Sequence, residues 1–263
     1  MGHQDNKILG SRNVAGVNLL FLVDYHIHSS WCDGRQTINQ IVKRSKKLKL
    51  NAIAITDHAR KYSPWVTSYI SELKSYQKTS KQPLVIIGLE VKILDFTGEV
   101  DLNPNWIPNL NIVLIAIHSI PRITKKIIPK LKDKIPRFYG ELLISAIKQV
   151  SLPVPTIMAH PGKWLKENGL PFIPKEMWDE IAKTARKYQK IIEYNTSAPP
   201  PREFIELLIS EKVRLSVGSD AHRVTEIGRD VSAAIELVGD FLMKACELMR
   251  NEKDPKSLCC NPC

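Results

Sequence analysis

The feature that most constrains this chain is a regular alternation. Short apolar runs rich in β-branched residues alternate with longer stretches of amphipathic, helical spacing. The runs are Val17–Val23, Ala52–Thr56, Leu84–Leu89, Ile112–Ile117, Pro155–Ala159, Ile191–Asn195 and Val213–Val217, and each reads as a strand. Helical spacing predicts helices over Thr37–Leu50, Trp65–Lys78, Tyr139–Gln149, Lys175–Lys187, Pro201–Glu211 and Val231–Met249. In the first of these, Ile38, Ile41, Val42, Ser45 and Leu48 share one face, and Lys43, Arg44, Lys46, Lys47 and Lys49 lie outside it. Val91–Leu102 reads as a hairpin with Thr97-Gly98 at its turn. Strands alternating with helices predict an α/β fold with a parallel sheet, either a barrel or an open sheet.

The 263 residues fit one large domain, and no repeat, low-complexity block or linker divides them. The expected organisation is an N-terminal extension over 1–16, a barrel domain over 17–250 and a flexible Cys-containing tail over 251–263. No apolar run reaches the roughly 18 residues of a membrane span. The N-terminal stretch lacks an apolar core of signal-peptide type, so the expected compartment is the cytoplasm and no membrane partner is expected. The net charge of +11 suits a phosphorylated or polyanionic ligand, or a Lys-rich solvated surface. A disulfide framework is not expected, because four of the five cysteines lie after residue 245. The closing Cys259, Cys260 and Cys263 can alternatively bind a metal or act in redox chemistry.

The first predicted strand runs into Asp24-Tyr25-His26-Ile27-His28, and a turn closed by Gly34 carries Asp33. Residues two apart on a strand share a side, so His26 and His28 aim two imidazoles at one point. Two imidazoles and a carboxylate suit Zn, Mn or Fe. The pattern then recurs. His26, His28, His58, His118, His160 and His222 all lie at or just past the C-terminal end of a predicted strand. Asp33, Glu90 and Asp220 occupy comparable positions. That end carries the active site in α/β barrels, so these nine residues predict a multinuclear metal site.

The motifs HIHSSWCDG, AITDH, GLEVKI, AIHS, AHPG, EYN and GSDAH resemble, in order and spacing, those of the PHP (polymerase and histidinol phosphatase) superfamily. The resemblance runs from about Leu19 to Val231. The branch it is most similar to holds small stand-alone phosphatases and the C-terminal PHP domain of bacterial family X DNA polymerases. Gly98-Glu99-Val100-Asp101 favours that branch, and the chain shows no polymerase domain.

The resemblance implies a distorted seven-stranded (β/α) TIM-like barrel holding three divalent cations, from zinc, manganese, iron or magnesium. By analogy His26, His28, Glu90 and Asp220 hold the first. Glu90 bridges to a second, held with His118 and His160. Asp33, His58 and His222 hold the third. Asp33 stands where some members have histidine, and an oxygen donor there favours Mn or Mg beside Zn or Fe. The implied reaction is attack of a metal-activated water on a phosphate ester, with no Ser or Cys nucleophile. Cys32 is then a small packing residue, and Asp57 either orients a ligand or caps a strand end.

Glu90, Asp220 and Arg223 are the expected catalytic residues. Lys163 and Arg60 are further cations placed to reach a substrate phosphate. The expected activity is a metal-dependent phosphoesterase acting on small phosphomonoesters. Two alternatives stand beside it. One is a 3′-5′ exonuclease or 3′-end processing phosphatase acting on DNA or RNA. The other is a non-catalytic metal-bearing interaction module. Between Arg122 and Arg137 lie seven cations against one acid, interrupted by Pro121, Pro129 and Pro136. This segment reads either as a cationic flap for nucleic acid or as a solvated loop.

Overall fold

The computed structural model describes residues 21–239. Seven parallel strands pair in chain order: β1 Val23–Ile27, β2 Ala52–Ala59, β3 Leu84–Lys92, β4 Ile112–Ala116, β5 Thr156–Met158, β6 Ile191–Asn195 and β7 Leu215–Gly218. The ring closes just beyond β7. Ile27 bridges Ala221 in parallel, His28 N–H donates to the Ala221 carbonyl at 3.0 Å and Asp220 N–H to the His26 carbonyl at 2.8 Å. The result is a nearly closed α/β barrel of TIM type, rather than an open sheet. Asp24 clasps the seam, accepting from the N–H groups of Ser219 at 2.8 Å and Gly228 at 3.0 Å.

Helices α1 Ile38–Lys47, α2 Val66–Thr79, α3 Ile128–Leu131, α4 Ile135–Gln149, α5 Lys163–Glu167, α6 Trp178–Lys187, α7 Arg202–Ser210 and α8 Val231–Val238 fill the connections. Thr37 opens α1 with a capping box, its hydroxyl accepting from Gln40 N–H while Gln40 reaches back. Strand alternation separates two apolar layers. Ile53 and Ile55 face outward into the large core shared with the helices. Ala52 and Ala54 join Tyr25, Ile86, Leu114 and Ile157 in a smaller cluster inside the ring. No helix of the described residues is long and apolar enough to cross a membrane.

The first strand departs from expectation. Among the described residues it begins at Val23, and Phe21 is 46% exposed. Residues 17–20 lie outside the described part, as do the extension over 1–16, the end of the last helix and the tail over 251–263. The paired partners run from Ile53 to Ile55 on β2 while β1 advances from Asp24 to Ile27. One extra residue of β1 is thus accommodated as a bulge, which bends a strand and re-aims its side chains. This is how both Tyr25 and His26 come to face inward.

The hairpin after β3 forms as expected, with Ile93 bridging Val100. Gly98 at its turn takes φ +84, and a Cβ there would meet Gln149 at 2.3 Å. The basic segment after β4 is broken as its prolines require, into the single turn α3 and then α4, with Pro136 in its first turn. Short α5 and a 3-10 turn over Pro104–Asn109 have no counterpart in the periodicity.

Candidate metal centre

All nine predicted ligands meet at the C-terminal end of the barrel. The deepest group is fully buried. His26 Nε2 lies 3.0 Å from His28 Nε2 and 3.2 Å from Glu90 Oε2. His28 Nε2 lies 3.4 Å from the same Glu90 oxygen and 3.3 Å from Asp220 Oδ1. The second oxygen of Glu90 faces a different set: Oε1 lies 2.7 Å from His160 Nε2 and 3.1 Å from His118 Nε2. A third group stands toward solvent, with Asp33 side chain 56% exposed. Its Oδ2 lies 3.6 Å from His58 Nε2 and its Oδ1 3.4 Å from His222 Nε2.

His58 has a second contact that the resemblance does not imply, since its Nδ1 lies 2.9 Å from Glu90 Oε2. Through Glu90 the donor atoms group His118 with His58 and His160 with His26, all within 4.8 Å in each set. The resemblance pairs His118 with His160 instead. Two ligands sit on strained backbone, His160 at φ 29 and Asp220 at φ 55.

The donor set fits divalent cations. Buried imidazole nitrogens and carboxylate oxygens converge, and such carboxylates are costly in a protein interior without compensating charge. Burial disfavours the charged ring of His26, yet the carboxylates of Glu193, Glu90 and Asp220 hold its pKa well above the ordinary value. Burial, aided by the neighbouring His26 charge, pushes His28 down to about 3. Burial also opposes ionisation of Glu90 and Asp220, but the surrounding cations, His26 foremost, keep both well below the usual carboxyl range. Asp33 is lowered chiefly by its contact with His222.

Supporting residues orient these ligands. Glu193 on β6 accepts from His26 Nδ1–H at 2.8 Å and from His160 N–H at 2.6 Å. Asn195 donates to the same carboxylate at 3.2 Å. A Cβ at Gly218 would meet Glu193 Oε1 at 2.3 Å and His26 Cβ at 2.5 Å, so the neighbouring strand must be bare there. His222 turns its Nδ1 toward the Asp220 carbonyl, 3.0 Å away, leaving Nε2 for Asp33. Asp57 offers a donor atom within 4.8 Å of those of His28 and Cys32, but its hydrogen bonds go to the loop instead. It accepts from the Ser29 N–H and hydroxyl and from the Cys32 thiol, and so holds the loop that carries Asp33. The Cys32 thiol is pushed far up by burial and by the Asp57 carboxylate, which suits a packing residue.

The three cations differ. Lys163, at the start of α5, binds Asp220 Oδ2 directly. Arg60 lines a cavity beside Glu90. Arg223 is exposed on the loop after His222, where its N–H donates to Glu226 at 3.0 Å. Sequence reasoning assigned no role to Glu193. The available signal was one acid inside an otherwise apolar strand, Ile191-Ile192-Glu193.

A family profile for the PHP domain matches residues 24–197, which takes in seven of the nine predicted ligands. The chain belongs to the PHP domain family. A protein of Acetivibrio thermocellus named "Probable phosphatase" is 26% identical over 242 residues, covering 88% of this chain and 91% of that one. One of the same name from Caldicellulosiruptor saccharolyticus is 29% identical over 202 residues, covering 73% and 76%. Among solved structures, the histidinol phosphate phosphatase of Lactococcus lactis has TM-score 0.66 at 21% identity, covering 83% of this chain and 92% of that one. That structure is complexed with zinc, L-histidinol and phosphate. At this identity the likeness shows the shared PHP barrel. Family membership and the donor set together make this PHP protein a metal-dependent phosphoesterase.

Proposed function

We propose that the protein hydrolyses small phosphomonoesters at a site of three divalent cations. The observation that carries this reading is the placement of Glu90, whose two oxygens face two different histidine sets. His26, His28, Glu90 and Asp220 would hold the innermost cation, and Glu90 with His118 and His160 the second. Asp33, His58 and His222 would hold the outer one. Zinc is the first metal to try, given the zinc in the Lactococcus lactis histidinol phosphate phosphatase structure. When bound, divalent cations here supply Lewis acidity, acidifying water and neutralising phosphoryl oxygens.

The chain's own residues do the rest. Glu193 holds the His26 ring so that Nε2, not Nδ1, faces the cluster. Lys163 fixes one oxygen of Asp220 and leaves the other toward His28. Arg223, exposed on the loop after His222, would meet a substrate phosphate from solvent. The Cys32 thiol, held protonated by burial and by the Asp57 carboxylate, is not the expected nucleophile.

A second reading takes nucleic acid as substrate, at a 3′ end. It is favoured by Arg122, Lys125, Lys126, Lys130, Lys132 and Lys134, all exposed on the segment that follows His118. The test of both is one comparison. Zinc- and manganese-loaded protein is incubated separately with an aryl phosphate, histidinol phosphate and 3′-labelled single-stranded DNA. Release of phosphate from the small esters at the higher rate is expected. Faster attack on the DNA would move the assignment to the second reading.

A further inference from the structure

His58, Glu90 and His118 form one wall of a cavity of about 530 Å³. The turn after β2 adds Arg60 and Ser63, the end of β3 adds Lys92, and the hairpin that follows adds Leu94 and Asp101. Lys92 lies two residues beyond Glu90 on β3, so both side chains leave the same face of the strand. The two loops are tied together. Lys61 N–H donates to Asp101 Oδ1 at 2.8 Å, and Asp101 N–H donates to the Lys92 carbonyl at 2.9 Å. Ser63 Oγ accepts from Arg60 N–H at 3.0 Å. The walls are therefore held by hydrogen bonds to backbone.

Among the described residues, neither the Arg60 guanidinium nor the Lys92 ammonium has an ion-pair partner, whereas Lys163 is committed to Asp220. The cavity thus shares a wall with the metal cluster and presents two uncommitted cations. The same two loops carry three of the five exposed large hydrophobics of the described residues, Tyr62, Leu94 and Phe96.

We propose that this cavity receives the leaving group, and that Arg60 and Lys92 select alcohols bearing a second anionic group on an apolar or aromatic frame. That second group is a carboxylate or a further phosphate. The inference rests on the phosphomonoesterase reading for the direction of the bond cleaved. Arg60 and Lys92 add charge beyond what the phosphoryl group would meet at the cluster and at Arg223.

Binding and hydrolysis test it together on the zinc-loaded protein. Calorimetry compares 4-carboxyphenylphosphonate and 1,4-phenylenediphosphonate with the neutral 4-carbamoylphenylphosphonate. The matching phenyl phosphates are assayed for kcat/KM. The protein is expected to favour at least one charged compound over the amide by at least about tenfold. The arm that shows the preference identifies carboxylate or phosphate. Lys92→Gln and Arg60→Gln should each shrink that ratio, and Lys92→Arg should restore it. Equal binding of charged and neutral compounds by the parent overturns the proposal. So does an unchanged ratio with equal losses in Lys92→Gln, which would put that cation on the transferred phosphoryl group. A binding preference without phosphate release from any ester supports the anion subsite while rejecting the phosphomonoesterase reading.

Discussion

The Oε1 atom of Glu193 lies 2.8 Å from His26 Nδ1, and this one contact decides which nitrogen of the ring is offered to the cluster. Glu193 comes from β6 and His26 from β1, so the contact spans the closed ring. Partners of this kind raise the basicity of a ligating imidazole and fix its tautomer.

Glu193→Gln replaces a charged acceptor with an amide of the same shape. Metal affinity is expected to fall about 10–100-fold. Activity should recover when metal is added in excess, because the ligands remain. Titration against a chelating dye reads the affinity. An affinity equal to the parent's would show that the carboxylate does not orient His26.

Glu90→Gln is expected to be more severe. The substitution removes the one charge shared by two donor sets. The rate should drop by at least about 10³-fold, beyond the loss typical for a single oxyanion-stabilising donor. Bound metal, counted by elemental analysis, should fall by more than one ion per chain. Full metal content with near-normal turnover would rule out the bridging role.

Removing metal should loosen the fold. A ligand bound only by the native state stabilises it by about 2.7 kcal/mol at a hundredfold excess over Kd. For a domain of this size that corresponds to a melting shift on the order of 5–10 °C. Thermal scans with and without a chelator measure it. The idea is lost if the two scans superimpose in a protein shown to have carried metal.

The basic segment offers a separate test of the nucleic-acid reading. Arg137 pairs with Glu176 at 2.8 Å and is already engaged within the fold. The lysines at 125, 126, 130 and 132 are exposed. Neutralising these four together should weaken binding to single-stranded DNA and flatten its dependence on salt, since fewer counterions are released. Hydrolysis of a small aryl phosphate should stay within about twofold, surface substitutions remote from the ligands being mild in effect. Unchanged DNA binding at low salt would end the case for this segment.

Much of the candidate site was legible because its imidazoles and carboxylates are chemically conspicuous and each marks a strand end. His26, His28, His58, His118, His160 and His222 need only the order of strands to be brought together. Glu193 was not legible in that way. Its task depends on ring closure setting β6 against His26, which no local pattern records. The bulge at Tyr25-His26 escaped for a related reason. It exists only in the pairing of β1 with β2. Among the described residues, Phe21 and Leu22 precede the ladder, which begins where Val23 meets Ala52, because apolar content does not by itself set pairing. The β2 strand also continues through Asp57 and His58, past the apolar run, because all eight of its residues pair with β3.

The seam clasped by Asp24 has a consequence for how this protein assembles. His26 and His28 belong to the first strand and its exit, while Asp220 and His222 follow the last. The innermost donor set is therefore drawn from both the first and the last strand of the ring and is complete only when the ring has shut. A cation held there would join the first strand to the segment after the last, and a chain lacking the seventh strand would present only part of its grip. Metal uptake would then report closure of the ring, and a chain truncated before β7 should take up metal poorly.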